Sequence, residues 1–193
     1  AAYNSARIAQ RQFEARFGTI PEIQVINSKS GGPGISVLIL YLAQLLSQGS
    51  SIQDIKSQLI KAIGQLRFIA IVPSLSHLKA SGRVPWIADL AAKALGAKFV
   101  IELSDDRTKL LAVTKHMSTA LHRLIKEAAL SPLATPIAIV NANNIEANDF
   151  LSRELKGIRS SIDVIELNVS AAVATHVGPG FIGLAFMDNT APK

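Results

Sequence analysis

Apolar residues recur along the chain at two spacings, and the switching between them predicts the order of its elements. Between Ser5 and Phe17, Ala6, Ile8, Ala9 and Phe13 stand among Arg7, Arg11 and Gln12 in a helical pattern that Gly18 ends. Glu22 to Asn27 (EIQVIN) alternates as a short strand. Ser28 to Gly34 (SKSGGPG) is then a glycine-rich turn leading into Ile35–Ser47. The centre of that segment, VLILYLAQLL, is so uniformly apolar that it predicts a helix buried on all sides. Ser51 with Asp54 three residues later makes a capping box, and Ile52, Ile55, Leu59 and Ile63 carry a second helix to Gln65.

Arg67 to Val72 (RFIAIV) reads as a strand. Leu75–Ala80 is helical until Ser81-Gly82-Arg83-Val84-Pro85 breaks it, and Ile87–Leu95 is a further helix ended by Gly96. Phe99–Leu103 and Leu110–Thr114 form an antiparallel hairpin with a longer loop. Ser118 caps a helix with Leu121, Leu124, Ile125 and Ala128 on one face, which Pro132 and Pro136 separate from strand Ile137–Val140. A helix over Asn144–Leu155 follows, then strands over Ile162–Leu167 and Phe181–Met187. Helices alternating with strands around one inserted hairpin predict an α/β fold with a mixed sheet. The boundary falls between Ile63 and Phe68. Residues 1–66 hold too few elements for an independent domain, whereas 67–193 form a complete α/β unit.

Composition narrows the chemistry. Of 193 residues 49% are hydrophobic and 18% charged, so the chain encloses a real core and is no disordered tail. It contains no Cys, which removes disulfides, thiolate metal sites and cysteine nucleophiles. The ten-residue apolar run Val37–Leu46 falls short of the roughly 18 residues that span a bilayer. With no secretory pattern in AAYNSARIAQRQ, the expected location is the cytoplasm. The net charge of +6 resides wholly in residues 1–98, with eleven basic and four acidic side chains. No block of adjacent basic residues accompanies it, so Arg7, Arg11 and Arg16 predict a solvated face and no nucleic-acid partner.

The loop Ser28–Gly34 sits where a strand meets a helix and favours an anion. It lacks the GxxxxGK[ST] and GxGxxG patterns, however, so Ser28 and Ser30 either touch a ligand or simply build a tight turn. His176-Val177-Gly178-Pro179-Gly180 is the sharpest feature. It sets an imidazole beside two glycines whose N–H groups can face a carboxylate or phosphate, the alternative being a core histidine beside a turn. His77, His116 and His122 lie far apart without HExxH or a neighbouring carboxylate, and read as structural or surface residues. Neither a metal nor a cofactor is expected. Without a GxSxG elbow, hydrolase chemistry has no support.

Several segments together resemble the DegV family of fatty-acid-binding proteins. They are Tyr3-Asn4-Ser5-Ala6, Val25-Ile26-Asn27-Ser28-Lys29-Ser30, Leu78 with Ser81-Gly82-Arg83-Val84, and His176–Gly180 followed by Gly183-Leu184-Ala185-Phe186. The resemblance covers essentially the whole chain. It implies a two-lobed α/β fold, here a complete C-terminal lobe (67–193) with a mixed sheet plus the remainder of an N-terminal lobe (1–66). It also implies a long-chain fatty acid held in a tunnel between lobes by a non-catalytic carrier, which presents the carboxylate to a fatty-acid kinase for phospholipid synthesis. His176 would then position the carboxylate, Gly178 and Gly180 would shape its site, and Arg83 would face the kinase or the head group.

The chain departs from the family pattern in places. Ala1 and Ala2 occupy positions where the family has Gly and Thr, Asn27 replaces an Asp, and Gly32 and Ser36 replace Ser and Gly. These departures imply a fragment that lacks some head-group hydroxyls and has an apolar lobe surface through which two copies could pair. The alternative from another class is a phosphotransfer or kinase-associated subunit with His176 as the acceptor.

Overall fold

The computed structural model describes residues 2–18, 23–80, 96–104, 108–132, 135–158 and 163–188. Its helices are α1 (Ala2–Phe17), α2 (Gly32–Ser47), α3 (Ile52–Gln65), α4 (Ser76–Ala80), α5 (Met117–Ala128), α6 (Ile145–Ile158) and α7 (Ala171–Val177). Its strands are β1 (Leu66–Val72), β2 (Lys98–Leu103), β3 (Thr108–Thr114), β4 (Ile137–Asn141), β5 (Val164–Asn168) and β6 (Ile182–Met187). The strands form one mixed sheet in the order β3-β2-β1-β6-β4-β5, in which only β4 and β5 run parallel. Because β6 returns antiparallel between β1 and β4, the C-terminal ends of β1, β4 and β5 meet the start of β6 at one edge.

Period-two alternation gives the sheet two apolar faces. Ile69, Ile71, Ile137, Ile139, Ile182, Leu184 and Phe186 point to one side, where Leu121, Leu124 and Ile125 of α5 and Leu151 and Leu155 of α6 cover them. Toward the start of β1, the other side is covered by Val37 and Leu38 of α2 and Ala62 of α3, packed on Ala138, Ala185 and Met187. Toward the opposite edge it is covered by Leu75 just before α4, Leu78 within it and Val177 of α7, packed on Ala70, Val72, Val140 and Phe181. Half-buried Phe68 and Leu167 belong to both clusters and so mark where they meet. Gly183 lies beneath Phe68: a Cβ there would stand 2.8 Å from the Phe68 ring and 3.0 Å from the Ile69 carbonyl oxygen.

Most predicted elements form where the pattern places them, and the differences have physical causes. The strand predicted over Glu22–Asn27 does not form in its described part: residues 23–28 join no strand pair, because alternation supplies a face to bury but no partner. Helix α2 is not buried all round. Val37, Leu38 and Leu45 pack inward, while Ile35, Ile39 and Leu46 are exposed, Ile39 at 58%. Ser118 lies inside α5, whose N-cap is His116 without a side-chain cap bond. Helix α7, too short for a hydrophobic period to reveal, was not anticipated; Ser170 caps it by accepting from the Val173 N–H. The predicted break at Ser81–Pro85 and helix Ile87–Leu95 lie outside the described residues, although Gly96 has the positive φ (76°) of a helix-ending glycine.

Candidate functional site

The edge where β1, β4 and β5 end is the place at which open α/β sheets hold ligands, because strand ends leave polar backbone and loop side chains there. At this edge Pro73-Ser74-Leu75 follow β1, Ala142-Asn143-Asn144 follow β4, and α7 with the Gly178–Phe181 turn lies between β5 and β6. Ser74 and Ser76 share a hydroxyl–hydroxyl hydrogen bond of 2.8 Å at the start of α4. Helices α4 and α7 pack against each other.

The histidine-glycine segment is built by constraints that only glycine meets. Gly178 ends α7 with φ 76°, and its N–H donates to the Ala174 carbonyl at 2.9 Å. Gly180 has φ 78°, donates its N–H to the Ala142 carbonyl at 2.9 Å, and accepts at its own carbonyl from Asn144 Nδ2 at 2.7 Å. The expectation that the two glycine N–H groups face a bound anion is therefore corrected, since both are spent on backbone carbonyls. The glycines instead allow close approach. A Cβ on Gly180 would stand 3.2 Å from Pro73 Cγ, and one on Gly178 would collide with the His77 ring, 2.9 Å from Nε2. His176 stands in the last turn of α7, half-buried, and its ring has no hydrogen-bond partner among the described residues.

A chain of polar side chains supports this turn from behind. Asn144 accepts from the Ala147 N–H at the start of α6 while donating to Gly180, and its own N–H donates to Asn141 Oδ1 at 3.3 Å. Buried Asn141 donates to Asn148 Oδ1 at 3.1 Å, and Asn148 donates to Glu166 Oε2 at 2.7 Å. Ser152 donates to the other Glu166 oxygen at 2.7 Å. These bonds, from Ser152 first and Asn148 second, hold the Glu166 carboxyl below the usual carboxylate range against the opposing effect of burial. Five residues, from β4, α6, β5 and the loop between β4 and α6, thus tie the turn to the body of the sheet.

The other predicted residues lie elsewhere. Ser28 Oγ donates to the Ser30 carbonyl at 3.1 Å, and Lys29 N–H donates to Asn27 Oδ1 at 3.0 Å with Lys29 at φ 48°. Ser30 packs against Gly34, where a Cβ would also lie 2.9 Å from Leu66 Cδ2 at the start of β1. The turn touching Gly180 is at Pro73, seven strand residues further on and about 23 Å away at the usual rise. Ser28 and Ser30 are thus not brought together with His176. Arg83 lies outside the described residues. His77, read from sequence as a structural or surface residue, is exposed and packs on Gly178; helical periodicity carries no information about a neighbour a hundred residues away. The run Asn141-Ala142-Asn143-Asn144 after an apolar strand was the one available signal for the supporting chain.

Among the described residues no cluster of three or more His, Asp or Glu could hold a metal, and no helix is long and apolar enough to cross a membrane. The family model for DegV, described as an uncharacterised protein of that family, matches residues 1–189. A DegV domain-containing protein of Clostridium acetobutylicum is 25% identical over 189 residues, covering 96% of this chain and 65% of that protein. The chain therefore spans about two thirds of the length of that relative. A DegV family protein from Eubacterium eligens, solved loaded with heptadecanoic acid, superposes with a TM-score of 0.80 at 20% identity, over 97% of this chain and 68% of its own. The Streptococcus pneumoniae fatty acid kinase (Fak) B3 protein, loaded with linoleic acid, gives 0.79 at 18% identity, over 97% and 67%. At such identities the likeness establishes a shared fold.

Proposed function

The chain belongs to the DegV family, and we propose that it binds one long-chain fatty acid as a non-catalytic carrier, with His176 beside the carboxylate. The observation that carries this reading is the apolar sheet face that runs up to a polar edge. Phe68, Leu103, Leu110, Leu167 and Val169 are only partly buried on that face, and Gly183 lets the Phe68 ring lie close against the sheet. An acyl chain laid over these side chains gains about 0.8 kcal/mol per buried CH₂, so apolar contact supplies affinity while a few polar groups fix the head. Two proteins of the same fold were solved with heptadecanoic and linoleic acid bound, which supports a ligand of this class.

In this reading the Gly178 and Gly180 turn shapes the head-group site, and the side-chain amide of Asn144 holds it in place. A cytoplasmic fatty-acid kinase is the proposed recipient of the carboxylate, since one of these neighbours is a fatty acid kinase protein. Arg83 is proposed to face that enzyme. We assign residues 1–66 to the remainder of an N-terminal lobe and 67–193 to the C-terminal lobe. Ser28 and Ser30 build the turn that starts α2 and leave the head group to the opposite edge.

The test is lipid extraction and mass spectrometry of natively purified protein, expressed both as these residues and as the complete product of its gene. One acyl chain per protein, lost in His176→Ala, is the expected result. Absence of acyl lipid from both would overturn the carrier and leave His176 to phosphotransfer.

A further inference from the structure

The imidazole of His77 lies against Gly178, the first glycine of the segment that follows His176. Its Cδ2 edge faces the backbone there, with Nε2 and Cγ 2.9 and 3.0 Å from where a Cβ would stand. Two short helices that pack on each other, α4 and α7, therefore deliver two imidazoles to one turn from positions 99 residues apart in the chain. Neither ring has a hydrogen-bond partner among the described residues, and His77 is exposed to solvent. Ring N–H groups left without protein partners at the rim of an apolar face can donate to a bound oxyanion. The shape of Gly178 preserves this arrangement, because any side chain there would displace the His77 ring.

We infer that His77 is a second head-group residue, which with His176 selects a carboxylate over an uncharged polar head. The inference rests on the carrier reading and deepens it. A helical residue that merely packed on Gly178 would serve equally well as an aromatic hydrocarbon. An imidazole adds a donor, and a donor matters only to a ligand with an acceptor at that point. His176 alone can orient a head group, but a second donor brought to the same turn by a different helix would distinguish a two-oxygen anion from a hydroxyl.

The experiment compares the affinities of the chain for palmitate and for hexadecanol, which share the acyl chain and differ in the head. His77→Phe keeps a ring against Gly178 and removes both nitrogens, and His77→Gln retains an N–H donor. The expected result is a preference for palmitate that falls on the order of tenfold in H77F, the scale of a hydrogen bond to a charged group, and is largely restored in H77Q. Hexadecanol affinity should change little. Equal losses for both ligands, or an unchanged preference in H77F, would overturn the inference and leave the carrier reading intact. Binding of neither ligand by the unsubstituted protein would overturn both.

Discussion

The side-chain amide of Asn144 donates to the main-chain carbonyl of Gly180 at 2.7 Å, across 36 residues of sequence. The same side chain accepts from the Ala147 N–H, so one residue both starts α6 and restrains the turn that carries the candidate site. Its two functions are separable by substitution. Asn144→Ser retains an N-cap hydroxyl and loses the bond to Gly180, whereas Asn144→Ala loses both. Denaturant unfolding should show a cost of about 1 kcal/mol for N144S and about 1 kcal/mol more for N144A. Equal stabilities for the two variants would mean that the cap contributes nothing, and an N144S as stable as the parent would mean the same of the Gly180 bond.

Gly178→Ala combines two penalties. At φ 76° an alanine is strained, and its Cβ collides with the His77 ring. The expected loss is about 1–3 kcal/mol, together with lowered fatty-acid retention. Gly157, in α6, has open space around its Cβ position and provides the control: Gly157→Ala should leave retention unchanged and stabilise by a few tenths up to about 1 kcal/mol. Thermal melts and lipid mass spectrometry on the pair measure both effects.

Arg67 stands among three carboxylates at the other end of β1. Its Nε donates to Glu102 at 2.6 Å, and one terminal nitrogen is 2.9 Å from both Glu127 and Asp188. The guanidinium also lies 5.6 Å from the centre of the Phe186 ring. Burial alone would lower the Arg67 pKa, but the carboxylates, Glu102 foremost, raise it above its ordinary value. Arg67→Met leaves the acids facing one another and should cost about 3 kcal/mol at neutral pH. A loss below about 1 kcal/mol would show that the cluster is adequately solvated without the arginine.

The same cluster sets an acid limit. Burial would push the Glu127 carboxyl up, but hydrogen bonds from Arg67 and then Arg123 outweigh it and hold the carboxyl below the ordinary range. A carboxylate depressed in the folded state binds its proton first in the unfolded chain. Its contribution to stability is therefore present above about pH 4.3 and lost as pH falls through the folded value. Glu127→Gln should be less stable than the parent at pH 7, and the gap should narrow toward pH 3. Parallel unfolding curves across that range would contradict the assignment.

Exposed apolar side chains on the first three helices predict self-association. Ile8, Phe13 and Phe17 of α1, Ile39 and Leu46 of α2, and Ile52 and Ile60 of α3 are all exposed, with the Phe13 and Phe17 rings 4.6 Å apart. Sedimentation of these residues as an isolated chain should reveal a dimer that Phe13→Glu with Phe17→Glu converts to monomer. A monomer at all concentrations would exclude pairing through this surface.

Much of this architecture was legible in the order of residues, because its signals are local. Helical spacing from Ile52 to Ile63, the Ser51–Asp54 cap, the alternation in Arg67–Val72 and the hairpin around residue 105 depend on neighbours within a few positions. So do the glycines that must adopt positive φ. The α/β class and mixed sheet follow from the succession of such elements, and His176–Gly180 stood out because few functions need that combination. Tertiary structure decided what meets what. It left residues 23–28 outside the sheet and exposed one side of a helix whose composition implied full burial. It gathered around Arg67 acids that are 35, 60 and 121 residues away. It also turned the glycine N–H groups inward and set His77 against Gly178. Periodicity specifies which face of an element is apolar, whereas register and packing across the sheet specify its partner, and those depend on free energies summed over the whole fold.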